Sequence, residues 1–201
     1  MKKKSIFFLI ILLCLSSLHT QTLSPKRELR GAWIATVGNI DWPKNRTNPT
    51  SGEQISDLVN SLKRLKEAGI NTVYFQVRTE CDALYKSEIE PWSYWLTGNQ
   101  GTAPEPFYDP LEFAIAEAHK LGMELHAWLN PYRAQKKVGE YPLAQNHVVI
   151  QNPNWILSFK DYKMLDPGIP EVKNHVLNVV KDIVLRYDID GIHFDDYFYP
   201  Y

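Results

Sequence analysis

Residues with chemical potential concentrate in Asp190-Gly-Ile-His-Phe-Asp-Asp-Tyr-Phe-Tyr-Pro200. Read as a strand with period-two alternation, the segment puts Gly191, His193 and Asp195 on one face and Ile192, Phe194 and Asp196 on the other. The apolar pair Ile192 and Phe194 is expected to pack under helices, which turns His193 and Asp195 to the opposite side, with Asp195 at the strand's end. A carboxylate beside an imidazole suits nucleophilic or acid–base work, so Asp195, Asp196 and His193 are the candidate catalytic residues. Equally, Asp195 could cap a following helix and Asp196 could pair with a surface base.

A second strand-like run ends Leu125-His-Ala-Trp-Leu-Asn130-Pro-Tyr132-Arg133. Asn130 can donate and accept at its end, and Arg133 could clamp a carboxylate or hydroxyl, although Asn130-Pro131 is also a plain turn starter. His126, inside the strand, reads as a core histidine. A third run ends Phe75-Gln76-Val-Arg78-Thr-Glu80-Cys-Asp82. Here Gln76, Arg78, Glu80 and Asp82 alternate, so they would line one wall of a site or form an exposed polar loop. Cys81 has no histidine partner in sequence and reads as an inert thiol. His193-x-Asp195-Asp196 is the one arrangement resembling a chelate. With no His-x-His, HExxH or paired-cysteine pattern beside it, no metal is assigned, and no organic cofactor is called for.

Aromatic residues point to the substrate class. Of the six tryptophans, Trp42, Trp92 and Trp95 fall in loops beyond strand ends, and Tyr132, Tyr197, Tyr199 and Tyr201 crowd the same rim. Such rings present flat apolar faces suited to the C–H faces of sugars. Trp33 and Trp128 are expected in packed core. The candidate substrate-binding set is therefore Asn130, Tyr132, Arg133, Gln76, Arg78, Glu80, Trp42 and Tyr197, facing a glycan.

The elements that would position these residues repeat in one order. Gly31 to Val37 is an apolar run of strand length. Thr50 and Glu53 have capping-box spacing, and Ile55, Leu58, Val59, Leu62 and Leu65 follow at helical period. Gly69 stops that helix, and Ile70 to Val77 is the second strand. Asp109, Pro110 and Glu112 then supply an N-cap, a first-turn proline and a first-turn acid. That helix runs to about Leu121, Gly122 ends it, and Met123 to Leu129 is the third strand. Pro170 opens a helix through Val172, Val176, Val179, Val180 and Ile183, before a fourth strand from Ile189 to Phe194. Helix, glycine, apolar strand is the signature of βα units in a parallel sheet.

Two α/β architectures fit, a doubly wound sheet and a (β/α)8 barrel. No G-x-G-x-x-G or Walker pattern follows any strand, and the chemistry gathers at the C-terminal ends of the strands, so the barrel is favoured. A barrel takes ~250 residues, so residues 30–201 are expected to form its N-terminal half, with four strands and three helices, in a truncated chain.

Composition agrees with an ordinary folded protein. At 44% hydrophobic and 22% charged, wholesale disorder is excluded. The net charge is −1, and three of the basic residues are Lys2 to Lys4, so the body is mildly acidic and has no electrostatic footprint for nucleic acid. Those lysines precede an apolar run from Ile6 to Leu18 that is too short to span a bilayer but fits a secretory signal. Residues 1–20 are therefore expected to be a signal peptide and 21–29 a leader. No integral membrane span should remain after cleavage, and the destination is the periplasm or cell envelope. Cys14 as a lipidation site is disfavoured by Leu13, where lipoprotein signals carry Gly, Ala or Ser. Asn45-Arg46-Thr47 matches a glycosylation sequon.

Several segments resemble one family in order. They are Arg30-Gly-Ala-Trp-Ile-Ala-Thr-Val37 with Asp41-Trp-Pro43, Gly69-Ile-Asn-Thr-Val-Tyr-Phe-Gln-Val-Arg78, Asp82-Ala-Leu-Tyr85, His126 to Arg133, Leu165-Asp-Pro-Gly-Ile-Pro170 and Asp190 to Tyr199. Together they are similar to glycosyl-hydrolase-like family 10. The resemblance implies a (β/α)8 barrel, export, and hydrolysis of peptidoglycan glycan strands. Gly191-Ile-His-Phe-Asp195 is also similar, more distantly, to the strand-four G-F-R-x-D of the α-amylase clan, with Asn130 at the place of a strand-three asparagine. That likeness implies a nucleophile role for Asp195, departs from the clan in having His193 for arginine, and implies an acid/base carboxyl after a fifth strand, beyond Tyr201. The 201 residues alone would then be inactive. Two other classes stay open: a glycan-binding module without turnover, which shares the aromatic rim, and a metal-dependent deacetylase or hydrolase.

Overall fold

The computed structural model describes residues 28–44, 50–195 and 198. The expected signal peptide, the leader up to residue 27, the sequon at Asn45, and Asp196, Tyr197, Tyr199 and Tyr201 lie outside the described residues.

Local sequence signals produce the elements at nearly the expected places. Strand β1 spans Gly31–Ile34, and helix α1 spans Ser51–Glu67 with a complete Thr50–Glu53 capping box. Gly69, at φ +84°, turns the chain into β2, Thr72–Arg78, at a backbone angle that glycine adopts without strain. A short helix α2 (Tyr94–Thr97) precedes α3, Pro110–Lys120, where the Asp109 side chain accepts from the Leu111 and Glu112 amides. Strand β3 is Glu124–Leu129. After an excursion, α5 (Pro170–Arg186) leads to β7, Gly191–Phe194.

These four strands form one parallel sheet in the order β1-β2-β3-β7. Alternation decides what each face meets. Val73, Phe75 and Val77 of β2 and Leu125, Ala127 and Leu129 of β3 are buried with Leu58 and Leu62 of α1, Leu111, Ala114 and Ala118 of α3, and Val179 and Ile183 of α5. The alternate residues Trp33, Tyr74, His126, Trp128 and His193 form ring contacts with one another on the opposite face. All three long helices thus cover one face. A doubly wound sheet would have helices on both, so the architecture is that of a barrel with its first four strands. On the inner face glycines make room for rings: a Cβ at Gly31 would lie 2.6 Å from the Tyr74 ring, and one at Gly191 2.5 Å from His126 Nδ1.

One element group was not anticipated. Between β3 and α5 the chain builds β4 (Arg133–Gln135), the one-turn α4 (Val148–Gln151), β5 (Ile156–Ser158) and β6 (Lys163–Leu165). The three strands form an antiparallel sheet in the order β4-β6-β5. Its small core of Cys81, Ala134, Val148, Leu165, Val172 and Val176 lies beyond the C-terminal end of β3. Strands of three residues are too short to show a period, which hid them from the sequence. No helix among the described residues is long and apolar enough to cross a membrane.

Candidate active site

Asp195 follows β7 directly and Asn130 follows β3 directly, which brings both to the same end of the sheet. Alternation places Asp195 on the inner face with His193, as the spacing predicts. Ile192 packs against the helix-side core, whereas Phe194 departs from expectation and is 41% exposed. Asp195 itself is half-buried, within reach of solvent.

The Asn130 amide is held in a defined orientation. Its backbone N–H donates to the Arg78 carbonyl at 2.9 Å, and its Oδ1 accepts from the Arg133 N–H at 2.8 Å. With the oxygen so engaged, Nδ2 faces Asp195 and lies 3.2 Å from each of Oδ1 and Oδ2. Asn130 therefore both starts the turn and presents a donor, using opposite ends of one side chain.

Below Asp195, His193 packs its ring 4.6 Å from Tyr74 and 5.8 Å from Trp33, between centroids. Burial lowers its pKa, against the pull of Asp195 and with help from His126, which favours the neutral imidazole. Its Nε2 is buried with no hydrogen-bond partner among the described residues. Trp33, expected in packed core, is instead 63% exposed on this inner face. His126 is half-buried, with Nε2 3.4 Å from Glu124.

Other expected site residues serve the framework. Gln76 is buried, and its Oε1 accepts from the Thr36 and Val37 amides at 2.9 and 3.0 Å, fastening the segment after β1 to β2. Arg78 was expected on a ligand-facing wall. It is fully buried, donating from Nε and Nη2 to the two oxygens of Glu90 at 2.7 and 2.6 Å and from Nη1 to the Asn130 and Pro131 carbonyls at 2.5 and 3.1 Å. Glu80 also faces protein. Its carboxylate accepts from the Lys136 amide, from Trp95 Nε1 at 2.8 Å and from the Tyr141 hydroxyl at 3.0 Å. Burial, then the neighbouring Asp82, raises its pKa.

Trp42 departs from the expected rim position as well. It is fully buried, with its ring 5.4 Å from Phe75 and its indole N–H donating to the Gln54 carbonyl at 2.9 Å. Trp95 is buried too, and Trp92 is half-buried against Phe107. Arg133 is buried, with Nε donating to the Thr79 carbonyl at 3.0 Å. Tyr132 is half-buried, its ring 6.4 Å from Phe198. Cys81 is buried and its thiol is pushed up to about 12, chiefly by burial, in keeping with an inert role. Asp196 and Tyr197 fall outside the described residues.

Sequence reasoning missed Glu90 and His175. Glu90 sits in a loop twelve residues from Arg78, and His175 on α5 meets Glu90 Oε1 at 2.8 Å across 85 residues of chain. No local pattern encodes either pairing. Among the described residues no group of three or more His, Cys, Asp or Glu side chains is placed to hold a metal ion.

The arrangement suits carboxylate chemistry: Asp195, oriented by a neutral amide, stands above an inner face of rings. Comparison with known proteins agrees in family and fold. The glycosyl hydrolase-like 10 family model matches residues 28–201. Glycosyl hydrolase DigH of Escherichia coli K12 is 41% identical over 193 residues, covering 89% of this chain and 44% of the relative. Glycosyl hydrolase YngK of Bacillus subtilis 168 is 41% identical over 176 residues, covering 87% and 34%. The chain thus spans less than half the length of the curated relatives it matches. Among solved structures, the alpha-L-fucosidase isoenzyme 2 of Paenibacillus thiaminolyticus superposes with a TM-score of 0.55 at 15% identity, over 84% of this chain and 23% of that one. This is a likeness of fold alone, to a barrel glycosidase. With the match extending from the start of β1 through the Asp195 segment, the chain belongs to the glycosyl hydrolase-like 10 family.

Proposed function

We propose that this chain supplies the nucleophile- or base-bearing half of the barrel of an exported glycoside hydrolase that cleaves a cell-envelope glycan, peptidoglycan strands in particular. The observation that carries the proposal is Asp195, half-buried at the C-terminal end of β7, with both carboxylate oxygens met by the Asn130 amide. In barrels this end of the strands is where catalytic groups gather. The relatives' names support hydrolysis of glycosidic bonds, and the Lys2–Lys4 and Ile6–Leu18 pattern supports export.

Glycoside hydrolysis ordinarily pairs two carboxyls across the scissile bond, ~5–5.5 Å apart for retention or ~6.5–9.5 Å apart for inversion. Asp195 is one of the pair. The second is assigned to the part of the relatives' length that this chain does not span. Asn130 fixes the direction in which the carboxylate presents its lone pairs, and neutral His193 beneath it adds no competing charge.

Asp195→Asn in the full-length protein, assayed on purified glycan strands, should lower kcat by about 10²–10⁴-fold while glycan binding persists. Unchanged cleavage would remove Asp195 from the reaction. Binding without turnover in the unmutated full-length protein would instead identify a glycan-binding module.

A further inference from the structure

We propose that Glu90 is a positioning residue for Asp195, acting through Arg78 and the Asn130 turn; the proposal rests on the assignment of Asp195 above. Glu90 takes the Nε and Nη2 edge of the Arg78 guanidinium with its two oxygens, which fixes the plane of the group. The remaining nitrogen, Nη1, is thereby directed at two consecutive carbonyls, those of Asn130 and Pro131. These two bonds anchor the backbone whose side chain donates to Asp195. From the other side His175 of α5, the helix that leads into β7, holds Glu90 Oε1. One buried carboxylate thus ties the end of β2, the turn after β3 and the helix before β7 to the catalytic carboxylate.

Neither Arg78 nor Glu90 reaches solvent, with side chains 0% and 1% exposed. A buried ion pair is a weak stabiliser, because desolvation offsets the attraction and apolar replacements of similar volume often serve as well. What apolar side chains lack is a set of donors with fixed directions. The guanidinium satisfies two turn carbonyls and sets the angle at which Asn130 faces Asp195, so the pair has a geometric task that a hydrophobic contact could not perform.

The test is a double-mutant cycle in the full-length protein, assayed on glycan strands. Glu90→Gln should lower kcat by about 10–100-fold with KM held within about 3-fold, since remote misplacement by ~1 Å is enough for such a loss. Glu90→Gln combined with Asn130→Ala should be no slower than Asn130→Ala alone, to within about 2-fold, because residues acting through one another are non-additive. Multiplicative losses, or a Glu90→Gln kcat equal to that of the parent, would overturn the proposal. Arg78→Lys is the second perturbation, used if Glu90→Gln does not fold. A single ammonium cannot serve the carboxylate and both carbonyls in one plane, so the same non-additivity is expected.

An activity-independent readout is hydrogen exchange of the Arg133 amide, which donates to Asn130 Oδ1. It should quicken in Glu90→Gln while the β2 and β3 amides hold, and equal protection in parent and variant would also overturn the proposal. If Asp195→Asn leaves cleavage intact, the functional assignment fails, and this exchange measurement still decides whether Glu90 controls the turn.

Discussion

Acid titration of the Arg78–Glu90 pair gives a quantitative check on the framework beneath the site. Burial alone would raise the Glu90 carboxyl, but Arg78 and the His175 hydrogen bond overcome it and bring the pKa from an ordinary 4.5 down to about 2. A carboxyl depressed on folding contributes stability that is fully present above its unfolded value and is lost as pH falls through its folded value. The window is therefore from about 4.5 down to about 2, and the size is about 3 kcal/mol at 1.36 kcal/mol per decade. Glu90 is 1% exposed, so solvent screening takes little from that figure. The perturbation is Glu90→Gln in the full-length protein, with unfolding free energy from urea titration measured in parent and variant from pH 7 downward. At pH 7 the variant should be less stable by about 3–5 kcal/mol, the range for leaving a buried charge without its partner. The gap should narrow by about 3 kcal/mol as Glu90 itself becomes protonated. Taking the difference between the two proteins cancels the titrating groups that do not touch Glu90. Among these is Glu80, whose raised pKa acts with the opposite sign, favouring the folded state at low pH. A gap that stays constant to the lowest pH with a folded baseline would refute the assignment of Glu90 as an ionised, Arg78-paired group.

Two further predictions separate framework from site. Trp42→Ala should destabilise the fold by about 3–5 kcal/mol, as expected for emptying a buried aromatic position, with KM for glycan unchanged in the folded fraction. A raised KM with parental stability would return Trp42 to the rim. Cys81, with its thiol pushed up to about 12, should resist alkylation at pH 8 in the native full-length protein and react after denaturation, as peptide mapping by mass spectrometry would show. Native-state labelling would mean the thiol is accessible.

The parts of this molecule that are legible in the sequence are those decided within one turn or one pleat. Thr50 and Glu53 close a capping box because three residues of helix bring them together. Asp109 with Pro110 starts α3 for a similarly local reason, and Gly69 and Gly122 end helices because each takes positive φ, +84° and +63°. Alternation of Ile192 with His193 fixes which face of β7 turns inward without reference to any other strand. The small sheet β4-β6-β5 escaped because its order is set by hydrogen bonds across the connection between β3 and α5 rather than by periodic side chains. Trp33 departs from expectation for a related reason: an apolar strand residue names no face, and its contacts with Trp128 and His193 put it on the inner face, where it stays exposed.

The same distinction explains why four alternating polar residues after Phe75 looked like a binding wall. Alternation says that Gln76, Arg78, Glu80 and Asp82 lean to one side; it says nothing of what folds back across that side. In the structure Trp95, Lys136 and Tyr141 close over Glu80. Thr79 and Gln100 meet Asp82 at 2.7 and 3.2 Å, and Glu90 and the Asn130 turn enclose Arg78. Each of these side chains is buried, and each binds groups distant in sequence. A charge removed from water needs such partners, and here Arg78, Glu80 and Asp82 find them in the loops that they order. Asp195 differs in one respect that matters chemically. It keeps partial access to solvent while the Asn130 amide orients both of its oxygens. That combination, more than the presence of a carboxylate at a strand end, is what separates a candidate nucleophile or base from the structural acids around it.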